Sequence, residues 1–393
     1  MDIHYSSEER AFRDEIRTWL AAHLPADLRD KTIGYQPFTK DDLRRWHRVL
    51  AHQGWIAPAW PREWGGTGWN VVRRYIFEEE CGYAGAPPLP PFGVVMCGPV
   101  LLEFGTDAQK RRFLPRIYHG DDFWCQGYSE PGSGSDLASL STRAERDGDH
   151  YVVDGQKTWT TLAHMADWMF CLVRTDRSAA SKQQGISFLL IDMKSPGITV
   201  RPLRLMDGGR EVNEVFLDRV RVPVENRVHD EGAGWTVAKF LLGYERMNTA
   251  RIGTSKRELV QLKKLAMGEM KDGKPLLQDS RFRDRVTSVE AELMALEITN
   301  LRFVDQLRAG RAPGAEVSML KILGTEIQQA LTELMMQAAG PRAHPIAPRD
   351  DDAPFDRFVA ALAPRYCNYR KTTIYAGSNE VQRNIIAKHV LRL

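Results

Sequence analysis

The spacing of apolar residues changes twice along this chain, and that double switch limits the architectures open to it. Over residues 1–122 the period is helical. Phe12, Ile16, Trp19 and Leu20 share one stripe between Glu8 and Leu20, and Leu43, Trp46, Val49 and Leu50 repeat the pattern. Pro25 follows the first stripe, and Pro58 and Pro61 break the second. Trp64-Gly65-Gly66-Thr67-Gly68 reads as a loop between helices, because no Lys-Ser/Thr pair follows it as a phosphate loop requires. Near residue 122 the period shortens. Asp149 to Thr161 reads as two strands joined by a tight Asp154-Gly155 turn. Phe170 to Val173, Ile186 to Ile191, Ile198 to Val200 and Val212 to Val222 are further β-rich runs with no helix-length segment between them.

From Trp235 onward the helical period returns. Val286, Val289, Leu293, Leu296, Asn300, Phe303 and Leu307 recur at spacings of three and four, the seam of a bundle, with Asn300 expected as a satisfied core amide. Gly310 to Gly314 ends that helix and another is expected over Glu316 to Ala339. Gly340 to Pro354 reads as an irregular excursion, and two final helices follow, the second starting after Gly377-Ser378. The expected fold is α+β: an N-terminal α-helical domain over 1–122, a middle antiparallel β domain over 123–232 and a C-terminal four-helix bundle over 233–393.

The 54 basic and 51 acidic side chains nearly cancel, which leaves no electrostatic footprint for nucleic acid or an anionic membrane. The polar start from Met1 to Arg10 does not read as a signal peptide, and no run approaches the ~18 apolar residues of a membrane span. Five scattered cysteines without a CxxC pair read as reduced thiols in a cytoplasmic protein. Ten histidines without HExxH or a paired ligand spacing exclude the common zinc sites, and there is no GxSxG elbow. Gly132-Ser133-Gly134-Ser135-Asp136 is not a dinucleotide fingerprint, since Leu137 stands where its third glycine would fall.

Two segments remain. Gln126 to Asp136 is dense in small and hydroxyl residues, which suits a loop that brings backbone N–H groups close to a large polar ligand; an ordinary turn is the commoner reading of such a composition. Gly155-Gln156-Lys157-Thr158-Trp159-Thr160-Thr161 sets an aromatic plate among hydroxyls, although a lone strand tryptophan is usually core. Together, Tyr128-Ser129-Glu130-Pro131-Gly132-Ser133-Gly134-Ser135-Asp136 and Gly155-Gln156-Lys157-Thr158-Trp159 resemble the two signature stretches of the acyl-CoA dehydrogenase family. The resemblance runs the whole chain, through Phe104-Gly105-Thr106 and Phe113-Leu114-Pro115 to Asn384-Ile385-Ile386-Ala387.

That resemblance implies FAD between the β domain and the bundle, and α,β-dehydrogenation of an acyl-CoA thioester to the trans-2-enoyl-CoA. A base takes the α-proton while the β-hydride passes to flavin N5. By position, the resemblance assigns Gln126, Tyr128, Ser129 and Ser135 to the flavin and thioester, and Trp159 and Thr161 to the isoalloxazine. Gly377, Ser378 and Glu380 close the site, with Ser378 also a plain helix cap. Many members carry the base just before the last helix, where this chain reads Tyr375-Ala376-Gly377-Ser378-Asn379-Glu380, and alanine cannot accept a proton. Others carry it on the first long helix of the bundle, before an arginine, where this chain offers Leu242-Gly243-Tyr244-Glu245-Arg246. Glu245 is therefore the expected base, with Glu380 next in line and a solvated surface pair as the plain alternative. Ser135, Arg246, Ala376 and Gly377 are expected at the substrate, Ala376 through its backbone N–H.

Family members usually form tetramers in which a neighbour's arginine reaches the flavin pyrophosphate. Here the donor segment reads Glu269-Met270-Lys271-Asp272-Gly273-Lys274 and lacks it, and Gln337-Ala338-Ala339-Gly340-Pro341 departs from the neighbour's Gln-x-x-Gly-Gly. The pattern resembles heteromeric bacterial members whose two homologous chains share each site; a homotetramer in which Lys271 substitutes stays open. An electron-transferring flavoprotein is the expected acceptor and direct use of O₂ a lesser alternative. A non-catalytic subunit that completes a homologous dehydrogenase is the competing function. The acyl group, short, branched, dicarboxylic or polycyclic, is left open.

Overall fold

The computed structural model describes residues 5–244, 250–343 and 354–393. Helices α1 (Ser7–His23), α2 (Ala26–Ile33), α3 (Lys40–Gln53), α4 (Val71–Ala84), α5 (Gly98–Phe104) and α6 (Asp107–Tyr118) precede the first strand. Reciprocal capping boxes start three of them. Ser6, Thr39 and Thr106 each accept a backbone N–H three residues on, while Glu9, Asp42 and Gln109 reach back to the cap's own N–H. Gln109 then donates to the carbonyls of Glu225 and Arg227 at 2.7 and 2.8 Å, which ties α6 to the far end of the sheet.

The strands are β1 (Trp124–Gly127), β2 (Arg143–Asp147), β3 (His150–Thr161), β4 (Trp168–Arg174), β5 (Ile186–Asp192), β6 (Ile198–Pro202), β7 (Val212–Pro223) and β8 (Arg227–Val228). Their spatial order is β6-β7-β3-β2-β4-β5-β8, with β1 also on β4. The hairpin pairings are antiparallel. β1 arrives from α6 without a hairpin and runs parallel to β4, from Trp124 opposite Trp168 to Gly127 opposite Cys171. Side chains alternate between two cores, as a pleated strand requires. Phe170, Leu172, Phe188 and Leu190 join the core of the N-terminal helices, while Met169, Cys171, Val173, Leu189 and Ile191 join Tyr151, Val153 and Val215 on the other face. Both faces are covered, which is why these strands read as unbroken apolar runs.

The expected Asp154-Gly155 turn is corrected: β3 is one continuous strand, and its register against β7 shifts between Val153 and Gly155. At Gly155 a Cβ would stand 2.7 Å from the Cα of Thr142, so the glycine answers a close backbone approach. The true turn lies at Gly148-Asp149, because Asp147 pairs with His150.

The C-terminal helices are α7 (Gly234–Tyr244), α8 (Ile252–Gly268), α9 (Ser280–Arg308), α10 (Ser318–Ala339), α11 (Pro354–Ala360), α12 (Leu362–Tyr369) and α13 (Asn379–Ile386). A short hairpin, β9 (Met270–Lys271) and β10 (Lys274–Pro275), joins α8 to α9. Val286, Val289, Leu293, Leu296 and Phe303 of α9 meet Leu262, Leu320, Ile327 and Leu331 in one core. Val304 is buried where Leu307 was expected, since Leu307 is only half-buried. Asn300 is buried with its side chain against the Tyr75 hydroxyl, while its Oδ1 has no hydrogen bond in good geometry among the described residues, so the expected core amide is satisfied only in part. The first of the two expected final helices is two, α11 and α12, broken at Ala361. The break lets Arg365 of α12 turn onto Glu258 of α8, between the rings of Tyr35 and Tyr369 at 3.8 and 4.3 Å. Most of the Gly340 to Pro354 excursion, residues 344–353, lies outside the described residues. No described helix is long and apolar enough to cross a membrane.

Gly155→Ala should destabilise the chain by about 1–3 kcal/mol in urea unfolding, because its methyl meets the backbone of Thr142 and a flexible side chain cannot give way for it.

Candidate functional site

The two signature stretches are joined by one buried cation. Lys157 leaves β3 toward the interior and is 0 % exposed. Its Nζ donates to the carbonyls of Tyr128 and Leu172 at 3.2 and 2.7 Å and to Glu130 Oε1 at 2.8 Å. Glu130 also accepts from the N–H groups of Ser141 and Thr142 and from the Ser141 hydroxyl, at 2.7 to 2.9 Å. Burial raises the Glu130 carboxyl, but the Lys157 ammonium together with the bonds from Thr142 and Ser141 outweighs it and holds the group down to about 2. A third bond, Thr158 N–H to the Ser129 carbonyl at 2.9 Å, ties the strand directly to the loop.

This framework aims other groups outward. The register of β3 on β7 slips between Lys157 and Thr160, and Trp159 takes a left-handed φ of 56°. Its indole is 61 % exposed, an uncommon conformation and an uncommon exposure for a strand tryptophan. Thr160 Oγ1 beside it is buried without a partner among the described residues. Thr161 and Gln126 are half-buried at the ends of their strands, Ser129 is half-buried and Ser135 exposed. Tyr128 is buried, edge-on to Phe170 at 5.8 Å. Glu130 and Ser133 exchange backbone bonds at 2.8 and 3.0 Å around Pro131-Gly132. At Gly132 and Gly134 a Cβ would meet nothing within 4 Å, so the fold itself does not demand glycine there.

The second wall comes from the chain's end. Ile374 and Tyr375 are exposed, Ala376 and Gly377 take left-handed φ of 52° and 74°, and Ser378 caps α13 by accepting the Val381 N–H at 3.3 Å. Glu380 is exposed in the first turn; the N–H groups and the cap hydroxyl there hold its carboxyl below the usual range. The loop between β6 and β7 links this wall to β3: Asn368 donates to Asp207 at 2.6 Å, Lys371 to Glu211 at 2.5 Å, and the Leu162 N–H to the Glu211 carbonyl at 2.8 Å. The 374–380 turn and the Trp159 bulge are thereby set on connected elements. Glu245 and Arg246 lie outside the described residues, between the end of α7 at Tyr244 and the start of α8 at Ile252.

Lys157 and Glu130 fall within the two motifs, but the motifs assign them no role. Their pairing across 27 residues leaves no local trace in the sequence.

Three family models match in series: the acyl-CoA dehydrogenase N-terminal domain over 6–121, middle domain over 125–220 and C-terminal domain over 232–391. The chain belongs to the acyl-CoA dehydrogenase family, FAD-dependent oxidoreductases. It is 38% identical over 390 residues to acyl-CoA dehydrogenase IpdE1 of Mycobacterium tuberculosis, across 97% of each protein. Among solved structures it is similar to a chain of the ChsE4-ChsE5 complex from Mycobacterium tuberculosis, at 33% identity, TM-score 0.84, and 100% and 99% coverage of the two chains. It is also similar to the Tcur3481-Tcur3483 steroid ACAD, at 30% identity, TM-score 0.86 and the same coverage.

The residues present fit the cofactor of that family. An out-turned indole, an unpartnered hydroxyl next to it and glycines with open space at their Cα atoms form a cradle whose features the fold does not use.

Lys157→Met should cost about 3–5 kcal/mol in urea unfolding near neutral pH, because it strands a buried carboxylate. The depressed Glu130 carboxyl contributes stability above its ordinary range near 4.5 that is lost as pH falls toward 2, so the deficit of the variant should narrow across that window.

Proposed function

We propose that this chain dehydrogenates the CoA thioester of a bulky polycyclic acid, with Glu245 as the base, as one of two homologous chains in a tetramer. The observation that carries the reading is at position 376: the turn before α13 keeps its left-handed backbone but presents alanine, so the α-proton must be taken from elsewhere. Glu245, directly after α7, is the carboxylate that the family's alternative arrangement puts at that task.

Bound FAD supplies the acceptor for the hydride leaving the β-carbon. The chain's own groups do the rest. The Glu245 carboxylate receives the α-proton, with Arg246 beside it in sequence. The Ala376 N–H donates to the thioester oxygen, where charge develops as that proton leaves, and Gly377 and Ser135 flank the thioester. Gln126, Tyr128, Ser129, Ser135, Trp159, Thr161, Ser378 and Glu380 hold the cofactor. The three units assigned to this work are residues 1–122, 123–232 and 233–393. The steroid enzyme similar to this chain supports a polycyclic acyl group.

The two-chain assembly is supported by the heteromeric relatives and by how this chain's donating segments are engaged. Lys271, the candidate substitute for the missing arginine, pairs with Asp279 at 2.6 Å. Glu269 pairs with Arg342, and Gln337 bonds Arg285 and Glu333. These side chains serve their own chain. A non-catalytic partner role is the second reading, favoured by the same segments; bleaching of bound flavin by acyl-CoA separates the two. An electron-transferring flavoprotein is the proposed acceptor.

Glu245→Gln should retain flavin yet lower the rate of flavin bleaching by about 10²–10⁴-fold with a panel of acyl-CoA thioesters. A variant that bleaches at the wild-type rate would move the role to Glu380. Expressed alone, the chain should be flavin-poor, and co-expression with a homologous chain that retains the arginine should yield about two flavins per four chains, since a closed symmetric assembly repeats every defect. Isolation alone as a tetramer with one flavin per subunit would sink that assembly.

A further inference from the structure

Five polar side chains on α10, Ser318, Lys321, Thr325, Gln328 and Thr332, are only 1 to 3 % exposed. Their spacing of three and four puts them on one stripe, and a fully buried polar stripe is uncommon in a bundle. It meets the first turn of α13. Lys321 Nζ donates to Asn379 Oδ1 at 2.9 Å, and the Asn379 amide donates to Thr325 Oγ1 at 3.2 Å. Thr325 in turn donates to the Lys321 carbonyl at 2.8 Å.

Among the described residues no carboxylate lies within 4 Å of the Lys321 ammonium. An ammonium buried beside a helix N-terminus, the positive end of that helix, lowers stability compared with an apolar side chain of the same length. Stability therefore does not account for lysine here. Position does. The same helix grips the other end of the turn: Gln329 donates to the carbonyls of Tyr369 and Arg370 at 3.2 Å, and Arg370 returns bonds to the Gln329 carbonyl and Thr332. Between these grips lie Ala376 and Gly377, whose consecutive left-handed backbone persists only if its ends are held.

We propose that Lys321 is a positioning residue: by holding Asn379 from behind, it fixes the Ala376-Gly377-Ser378 turn and the first turn of α13 in the geometry that receives the flavin. The proposal rests on the reading that this turn faces the cofactor. Burial pushes the Lys321 ammonium down to about 8, opposed by the nearby Glu380 carboxylate. The other charged pair across these helices, Glu326 and Arg383, bonds to itself at the surface at 2.6 Å. The charged grip weakens as pH rises through 8. The chain's own stability moves the other way, because folding releases a proton from this lysine between about 8 and its ordinary 10.5, so stability rises across that range.

The test is FAD titration of the deflavinated assembly, this chain co-expressed with a homologous chain that retains the arginine, by fluorescence quenching from pH 7 to 9.5, alongside thermal unfolding of its FAD-free form. Lys321→Met should raise the Kd for FAD about tenfold at pH 7, the order expected from losing one charge-assisted hydrogen bond. It should also abolish the alkaline weakening seen in wild type, with a thermal midpoint equal to or above that of wild type. Asn379→Ala should reproduce the loss, and the double variant should be no worse than either single one. Wild-type affinity and pH profile in Lys321→Met, additive losses in the double variant, or a lowered midpoint that tracks the lost affinity would each overturn the proposal. If Lys321→Met does not fold, unaltered FAD affinity in Asn379→Ala overturns it instead. A wild-type assembly that binds no FAD under any of these conditions strikes the parent reading as well.

Discussion

A fully buried ammonium must be ringed by oxygen, and in this protein that requirement holds together the part of the sheet that carries the two signature stretches. Lys157 collects the Tyr128 carbonyl and the Glu130 carboxylate from the loop after β1 and the Leu172 carbonyl from β4, so it joins two segments to its own strand. Glu130, in turn, fixes the start of β2 through Ser141 and Thr142. Because the pair is dry, neither partner can leave without stranding the other. The loop carrying Ser129 to Ser135 is therefore anchored at its root while its glycine-rich tip stays open.

That anchoring sets what β3 does next. With Lys157 drawn inward and Thr158 bonded to Ser129, the strand slips register, and Trp159 is turned outward with a backbone conformation that bulky residues avoid. The opposite wall follows the same logic with different parts. Its turn, Ala376-Gly377-Ser378, has little packing of its own and is gripped from α10 at both ends. Each wall has its chemistry-bearing residues backed by a buried polar bond.

The surface that family members turn toward a neighbour is differently disposed. The hairpin of β9 and β10 and the end of α10 are bound by ion pairs and amide bonds to α9 and to each other, through Lys271–Asp279, Glu269–Arg342 and Arg285–Gln337. A side chain committed within its own chain is poorly placed to reach another's pyrophosphate. The receiving face, by contrast, has its anchors intact, and the mismatch between the two is what a second, different chain would resolve.

Periodicity alone was enough to place helices such as α1, α3, α9 and α10 and the strands β4, β5 and β7, because each buries a face whose spacing is written in consecutive residues. The signature stretches were legible for the same reason: they are short and contiguous. The misreadings all depended on partners far away in sequence. Asp154-Gly155 has turn chemistry, yet Thr142 packs so close that the glycine serves a continuous strand. The helix after residue 354 breaks at Ala361, where Arg365 turns onto Glu258, 107 residues earlier. Lys157 and Lys321 look like ordinary surface lysines in a charged sequence, and only the tertiary structure buries them. Residue type and local spacing determine which segments can become walls of a site. Which polar groups lose their water, and so must find one another, is decided only when those segments pack.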